Sequence, residues 1–288
     1  MNFCGHPLTI ETPPDRVGGQ TLRDQGRLGR FLQLDELLPL LCDPLDKQSL
    51  AREGDLLRAS DRIYPIVDGR PHLFPCDLAR VAEFLSGPDL LRRFRSLSPM
   101  EQYCAFGMLK GSTDNNNLDP EDTWYGRHLW RACRMLQDVR GTFLDVGCDD
   151  PLLSRGLLHP DVAYVGLEPS AGTSSAMRVG GLGEFLPFRD GSFDAAGFQT
   201  SLDHVFDYQL ALAEARRVIR PGGRLYLATL LWTGERAQLY TDTVHFHHFR
   251  QHQIEAALTG GFDVREVHAY GWKGDSHRFG VYLSAVRT

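Results

Sequence analysis

Apolar and polar positions in the second half of this chain alternate between two rhythms. Short apolar runs at Phe143 to Val146, Ala163 to Leu167, Ala195 to Gln199 and Arg224 to Trp232 have the length and side chains of buried strands. Tyr208 to Ile219 carries the clearest helical spacing, with Leu210, Leu212, Ala213, Ala215 and Val218 predicted to face inward. Further helices are predicted over about 171–178 and within His245 to Leu258, and Arg220-Pro221-Gly222-Gly223 reads as a turn. Phe262 to Tyr270 and Phe279 to Val286 alternate and predict an antiparallel pair. Strands alternating with helices predict an α/β fold: a parallel sheet covered on both faces, with the closing pair making its last edge mixed.

The first half has a different texture. Residues 1–30 are rich in Gly, Pro, Arg and Asp with little periodicity, which predicts a mobile or loosely packed arm. Phe31 to Leu41 predicts a short helix. Short strands are expected at about 55–59 and up to a turn at Asp68-Gly69, giving a small α+β module over 31–76. Residues 77–122 read as a helical linker or lid, ending in a polar loop from Gly111. Thr123 to Leu136 predicts the helix that leads into the larger domain, 123–288.

Composition narrows the function classes. A chain of 288 residues, 42% apolar and 24% charged, fits a globular protein with one large domain and a small companion. A net charge of −6 argues against a nucleic-acid binder that works through a broad basic surface. No apolar run reaches the about 18 residues of a membrane span, and the N-terminus lacks a secretory pattern. The six scattered cysteines then predict reduced thiols and a cytoplasmic protein.

The apolar run that holds Asp145 ends in Gly147, and a turn follows at Cys148-Asp149-Asp150-Pro151. The next run ends in a carboxylate, Glu168, before Pro169. Such a unit forms a nucleotide-type pocket above the carboxyl ends of parallel strands. With Leu186-Pro187-Phe188, Ser192-Phe193-Asp194 and Arg220-Pro221-Gly222-Gly223 following in order, residues 123–288 resemble the class I methyltransferases that use S-adenosyl-L-methionine, of the type 11 kind. The resemblance implies a Rossmann-like sheet and that cofactor. It also implies site roles. Asp145 would hold the cofactor's ammonium, Gly147 would let the backbone approach its amino-acid part, Glu168 would accept its ribose hydroxyls, and Cys148, Asp149 and Pro169 would be further cofactor contacts. Gly183, Glu184 and Thr200 would line the rest, while Leu186 and Phe188 read as core. The family usually has D-x-G-x-G-x-G where this chain has D-V-G-C-D-D-P, so Asp149 and Pro151 replace glycines, and Leu182 stands where an acid is usual. Tyr125 lies on a segment that covers the cofactor in many members.

Residues 33–76, with D-P-L-D-K-Q-S-L followed by Y-P-I-V-D-G-R-P-H-L, resemble the Trm112-like modules that dock on methyltransferases. Asp43 and Asp46 stand where zinc-binding members carry cysteines, so no zinc is expected there.

Thr200-Ser201-Leu202-Asp203-His204 follows a strand's carboxyl end. His204 is the candidate general base and Asp203 its orienting partner. The plainer alternative has Asp203 capping the next helix. His245, His247, His248 and His252 form a histidine-rich stretch expected to face substrate. His247 and His248 would point differently on any regular element and no acid is expected to join them, so no metal is expected. The predicted function is methyl transfer to O or N of a small-molecule acceptor, a sugar or secondary metabolite. An RNA or protein acceptor, or a non-catalytic scaffold, are the alternatives.

Overall fold

The computed structural model describes residues 2–11, 29–86, 90–113, 131–132, 135–148, 158–169, 177–233, 245–272 and 275–288. In chain order the first strands are β1 (Asn2–Phe3), β2 (His6–Pro7), β3 (Ile10–Glu11) and β4 (Arg30–Phe31). Next come α1 (Leu34–Leu37), β5 (Ala51–Glu53), β6 (Leu56–Ala59), β7 (Arg62–Val67) and β8 (Arg70–Pro71). Three helices follow: α2 (Leu78–Ser86), α3 (Leu90–Phe94) and α4 (Pro99–Thr113). The large domain contains β9 (Thr142–Val146), β10 (Ala163–Glu168), β11 (Val179–Gly180) and β12 (Phe193–Gln199). It closes with α5 (Tyr208–Val218), β13 (Ile219–Trp232), α6 (Gln251–Leu258), β14 (Phe262–Trp272) and β15 (Asp275–Arg287).

The main sheet runs β11-β10-β9-β12-β13-β15-β14-β3, with β4 added beside β10. Strands β9 to β13 pair parallel, and β15 is antiparallel to both β13 and β14, as the sequence pattern predicts. The chain order reverses at β9, which makes the switch point above which open α/β sheets bind ligands. The predicted turn at 220–223 becomes a bulge inside β13. Phe193 pairs Ile219 while Ala195 already pairs Arg224, so these residues loop out against Asp194. Arg220 Nε donates to Asp194 Oδ1 at 2.7 Å, and Thr142 N donates to its Oδ2 at 2.7 Å. One carboxylate thus ties the starts of three strands.

Helix α5 starts where Asp207 accepts hydrogen bonds from Gln209 N and Leu210 N. Its buried face is Ala211, Leu212, Ala215 and Val218; Leu210 (38% exposed) and Ala213 point outward, against expectation. The helix starts at Tyr208 as predicted; at about 100° per residue, Leu210 and Ala213 fall outside the arc shared by Ala211, Leu212, Ala215 and Val218. The predicted helix over Phe31 to Leu41 shrinks to α1 and a 3-10 turn at Leu38–Leu40, because Phe31 is drawn into β4. Helix α4 extends to Thr113, beyond the glycine expected to open a loop.

Residues 1–30 are predicted as a loose arm, but the described parts are packed. Phe3 is fully buried and Leu8 nearly so in the main core, and β3 pairs β14. The module over 31–76 forms the sheet β5-β6-β7-β8, including a strand, β5, that the sequence pattern does not announce. Leu37, Leu41, Leu57, Tyr64 and Leu73 share one core with Val146, Leu167 and Phe188 of the large domain. Residues 171–176 of the predicted helix over 171–178, the polar loop after Thr113, Tyr125, Asp149, Pro151 and the 12–28 stretch of the arm fall outside the described residues, and residues 177–178 are not helical.

Asp43 organises the module. It is fully buried, and its Oδ2 accepts from Arg62 Nε and from the Tyr64 hydroxyl, each at 2.7 Å. Its Oδ1 accepts from Leu45 N at 2.8 Å and Asp46 N at 3.1 Å, and Arg62 also binds Asp46. The guanidinium therefore supplies the positive charge between the two carboxylates. Burial pushes the Asp43 carboxyl up, but Arg62 and Tyr64 outweigh it and hold the group below its usual range. Asp43 thus contributes stability above the unfolded carboxyl value of about pH 4, lost as pH falls through the lower folded value. Arg62→Met is expected to cost about 3 kcal/mol in chemical denaturation, since it leaves a buried charge without its cation. The variant should also show a weaker loss of stability in acid than the parent.

Candidate functional site

Because β9, β10 and β12 run parallel, Gly147, Pro169 and Thr200 emerge at one edge of the sheet. Gly147 has φ +74°, and both its N–H (2.8 Å) and that of Cys148 (3.2 Å) donate to Leu167 O. A Cβ on Gly147 would stand 2.5 Å from Ser201 Cβ, so only glycine permits this approach. Ser201 Oγ donates to Val146 O, stitching the ends of β9 and β12 together. Thr200 is left-handed at φ +59°, a conformation that costs a non-glycine residue about 1 kcal/mol or more. Its N–H to Ala228 O (2.9 Å) and hydroxyl to Gln199 O (2.6 Å) hold it there.

Asp145 is buried under this turn, and Tyr164 donates its hydroxyl to Asp145 Oδ2 at 2.8 Å. Sequence reasoning missed Tyr164. The signal was present in the parity of β10: Gly166 pairs Asp145, so Tyr164, two residues earlier, shares a face with Gly166. Cys148 packs back across the gap left by Gly166, where a Cβ would meet its Sγ at 2.6 Å. Glu168 ends β10 buried, and its carbonyl accepts from Gly181 N at 3.3 Å. Asp149 lies outside the described residues.

Gly183 and Glu184 form a buried 3-10 turn with Phe185. The Glu184 carboxylate accepts from Phe206 N at 2.8 Å, Tyr103 hydroxyl at 3.1 Å and Asp207 N at 3.3 Å. Burial pushes its carboxyl up, and those donors pull against it. The Glu184 side chain is thus engaged in fastening α4 to the segment that enters α5.

That segment carries Asp203 and His204 in a 3-10 turn, Leu202–His204. Asp203 is 4% exposed and does not cap α5, since Asp207 does. His204 Nε2 lies 3.8 Å from Asp203 Oδ1, and His245 Nε2 lies 3.8 Å from Asp203 Oδ2. The two imidazole centroids are 4.7 Å apart. The Asp203 carbonyl accepts from Phe246 N at 2.9 Å and His247 N at 3.2 Å, which brings His245 to the acid. The sequence expectation that no acid joins the histidine stretch is therefore corrected. Of the others, His247 bonds to Phe206 O, His248 lies against Trp232 and His252 is exposed on α6.

Residues 144–227 match the family model described as a methyltransferase domain. This part of the chain is an S-adenosyl-L-methionine-dependent methyltransferase domain. The relatives agree over partial lengths. An uncharacterised 37.1 kDa protein in transposon TN4556 of Streptomyces fradiae is 55% identical over 82 residues, 28% of this chain and 24% of that one. A ubiquinone biosynthesis O-methyltransferase of Xanthomonas oryzae is 33% identical over 100 residues, 30% of this chain and 42% of that one. The chain thus matches less than half the length of these curated relatives. Among solved structures, Burkholderia thailandensis 1,6-didemethyltoxoflavin-N1-methyltransferase has the same fold, with TM-score 0.51 at 15% identity. The likeness covers 67% of this chain and 92% of that one. The methyltransferase domain contains the Gly147 turn, Glu168, Glu184 and Asp203-His204; His245 lies beyond the matched residues.

Gly147→Ala should destabilise the methyltransferase domain by about 1–3 kcal/mol, through strain at positive φ and the clash with Ser201. Urea denaturation beside Gly191→Ala, which has a positive φ but 3.7 Å of clearance, separates the clash from the backbone term.

Proposed function

We propose that the protein transfers a methyl group from S-adenosyl-L-methionine to an oxygen or nitrogen of a small molecule, of the sugar or secondary-metabolite class. The observation that carries this reading is the junction at Ser201, which binds the Gly147 turn to the segment bearing Asp203 and His204. On this reading Asp203 and His204 serve as an acid–base pair beside the turn that takes the cofactor. Methyl transfer is an in-line displacement, so positioning and removal of the acceptor proton are what the chain must supply. His204 takes that proton, with Asp203 orienting it.

On this reading Asp145, steadied by Tyr164, serves the cofactor's ammonium, and Gly147, Cys148 and Asp149 its amino-acid part. Glu168 accepts the ribose hydroxyls beside Pro169, and Gly183 and Thr200 complete the lining. Glu184 shapes the loop through Tyr103 rather than touching the cofactor. The net charge of −6 and the O-methyltransferase relative support a small acceptor over a nucleic acid. We assign 31–76 as a Trm112-like module whose metal centre is replaced by the Arg62 guanidinium. Such modules accompany RNA and protein methyltransferases, and its docking on 180–189 favours a macromolecular acceptor as the second reading. Five described cysteines are free thiols, consistent with a cytoplasmic protein. Among the described residues no helix is long and apolar enough to cross a membrane.

Calorimetric titration with S-adenosylhomocysteine should show one site per chain. Glu168→Ala should weaken it about 10- to 100-fold, the loss of a charged hydrogen-bond acceptor. No heat with the parent protein sinks the enzymatic reading in favour of a scaffold, and unchanged affinity in the variant sinks the ribose role.

A further inference from the structure

The geometry points to a binding site for one divalent transition-metal ion, formed by Asp203, His204 and His245. One ligand atom from each lies within 4.8 Å of the other two. The carboxylate is central, with an imidazole Nε2 at 3.8 Å from each of its oxygens. An ion with bonds of about 2.1 Å sets tetrahedral ligands about 3.4 Å apart, so the two acid–imidazole contacts close by a few tenths of an ångström, and the widest of the three separations, within 4.8 Å, closes by up to about 1.4 Å. The side chains of His204 and His245 are 22% and 28% exposed, which leaves a way in for the ion and open coordination positions beyond the three ligands.

Three features mark this as a built site. The acid is 4% exposed, and a carboxylate at such depth favours an adjacent cation. The ligands come from segments far apart in sequence, joined by the paired bonds from Phe246 N and His247 N to the Asp203 carbonyl. The donor set, two imidazoles and one carboxylate, suits zinc, iron(II), cobalt or nickel and is too nitrogen-rich for magnesium or calcium.

If the proposed methyl transfer holds, the ion gives the site a second way to activate an acceptor. A hydroxyl bound at an open position loses its proton to water, as metal-bound water does near neutrality. The oxygen then forms a bond to the methyl carbon, the carbon–sulfur bond breaks, and its electron pair stays on sulfur as S-adenosylhomocysteine leaves. An imidazole bound to the ion is not available as a base, so the loaded and empty states differ in what activates the acceptor.

The test is metal binding by the full chain without cofactor or acceptor. After chelator treatment, titration with cobalt(II) should give one equivalent bound and visible bands of a nitrogen–oxygen site, without the charge-transfer band of a thiolate ligand. His204→Ala and His245→Ala should each weaken binding by more than about 10-fold, the smallest loss typical of supporting contacts. His159→Ala, at an exposed site, should not. Far-ultraviolet circular dichroism of each variant reports folding. No binding by the parent, binding through thiolate, or full affinity in His245→Ala overturns the proposal. S-adenosylhomocysteine titration is read separately, so failure of the metal site and failure of the methyltransferase reading are distinguishable.

Discussion

The structure depends on how the buried backbone of residues 180–189 finds its hydrogen-bond partners. This segment joins β11 to β12 and is covered on both sides. The module provides Leu73 N to Gly180 O at 2.7 Å, Cys42 N to Pro187 O at 3.0 Å, and the Leu40 carbonyl for Arg189 N at 2.8 Å. From the sheet side, Arg217 donates to Phe188 O at 2.6 Å and Leu186 O at 2.9 Å. Lys47 crosses the seam to Glu214 at 2.7 Å, and Glu214 also receives Arg217. Each bond adds only about 1 kcal/mol net, but each buried carbonyl left unmet would cost about 1–3 kcal/mol. The module is therefore part of the same cooperative unit as the sheet, and its Asp43–Arg62 pairing acts at a distance by keeping the segments beside Cys42 in place.

That seam reaches the candidate site through Glu184. The residue lies in the same segment, and its carboxylate holds Tyr103 on one side and the N–H groups of Phe206 and Asp207 on the other. Tyr103 and Phe206 also meet ring to ring at 5.1 Å. Two residues before Phe206 is His204. The position of Asp203 and His204 is thus tied to the module through 180–189 and the entry of α5. Buried carboxylates that satisfy several donors at once serve this purpose well, since no water can replace them without leaving donors unmet.

The long strands of the sheet were legible because their signals are local and repeated. Runs such as Ala163 to Leu167 need only be apolar, short and closed by a turn, and the antiparallel finish shows in the alternation of Phe262 to Tyr270. The two-residue strands β3 and β4 had no such signal, since pairing of that length leaves no period to read. Leu210 shows a second limit. Successive helical residues turn by about 100°, so Leu210 and Ala213 leave the arc that Ala211, Leu212, Ala215 and Val218 share, and apolar character alone does not show which residues form that arc. The resemblance identified Gly147 and Glu168 at strand ends, and the structure puts them there. It gave no sign of the bonds that the Glu184 side chain makes, because a motif gives backbone position and not the neighbours a side chain will meet.

The meeting of Asp203, His204 and His245 lies further beyond the sequence for a physical reason. Forty-odd residues separate His245 from the acid, and no periodicity spans the gap. What joins them is the Asp203 main-chain carbonyl, a group every residue possesses. The charge chemistry of the cluster is carried by side chains that a reader can see, yet its assembly is carried by backbone bonds that no residue type announces. The sequence neighbours of a histidine-rich stretch are therefore weak ground for excluding a metal or an acid–base role. The deciding quantity is which carbonyl the stretch docks on, and here that carbonyl belongs to the buried acid itself.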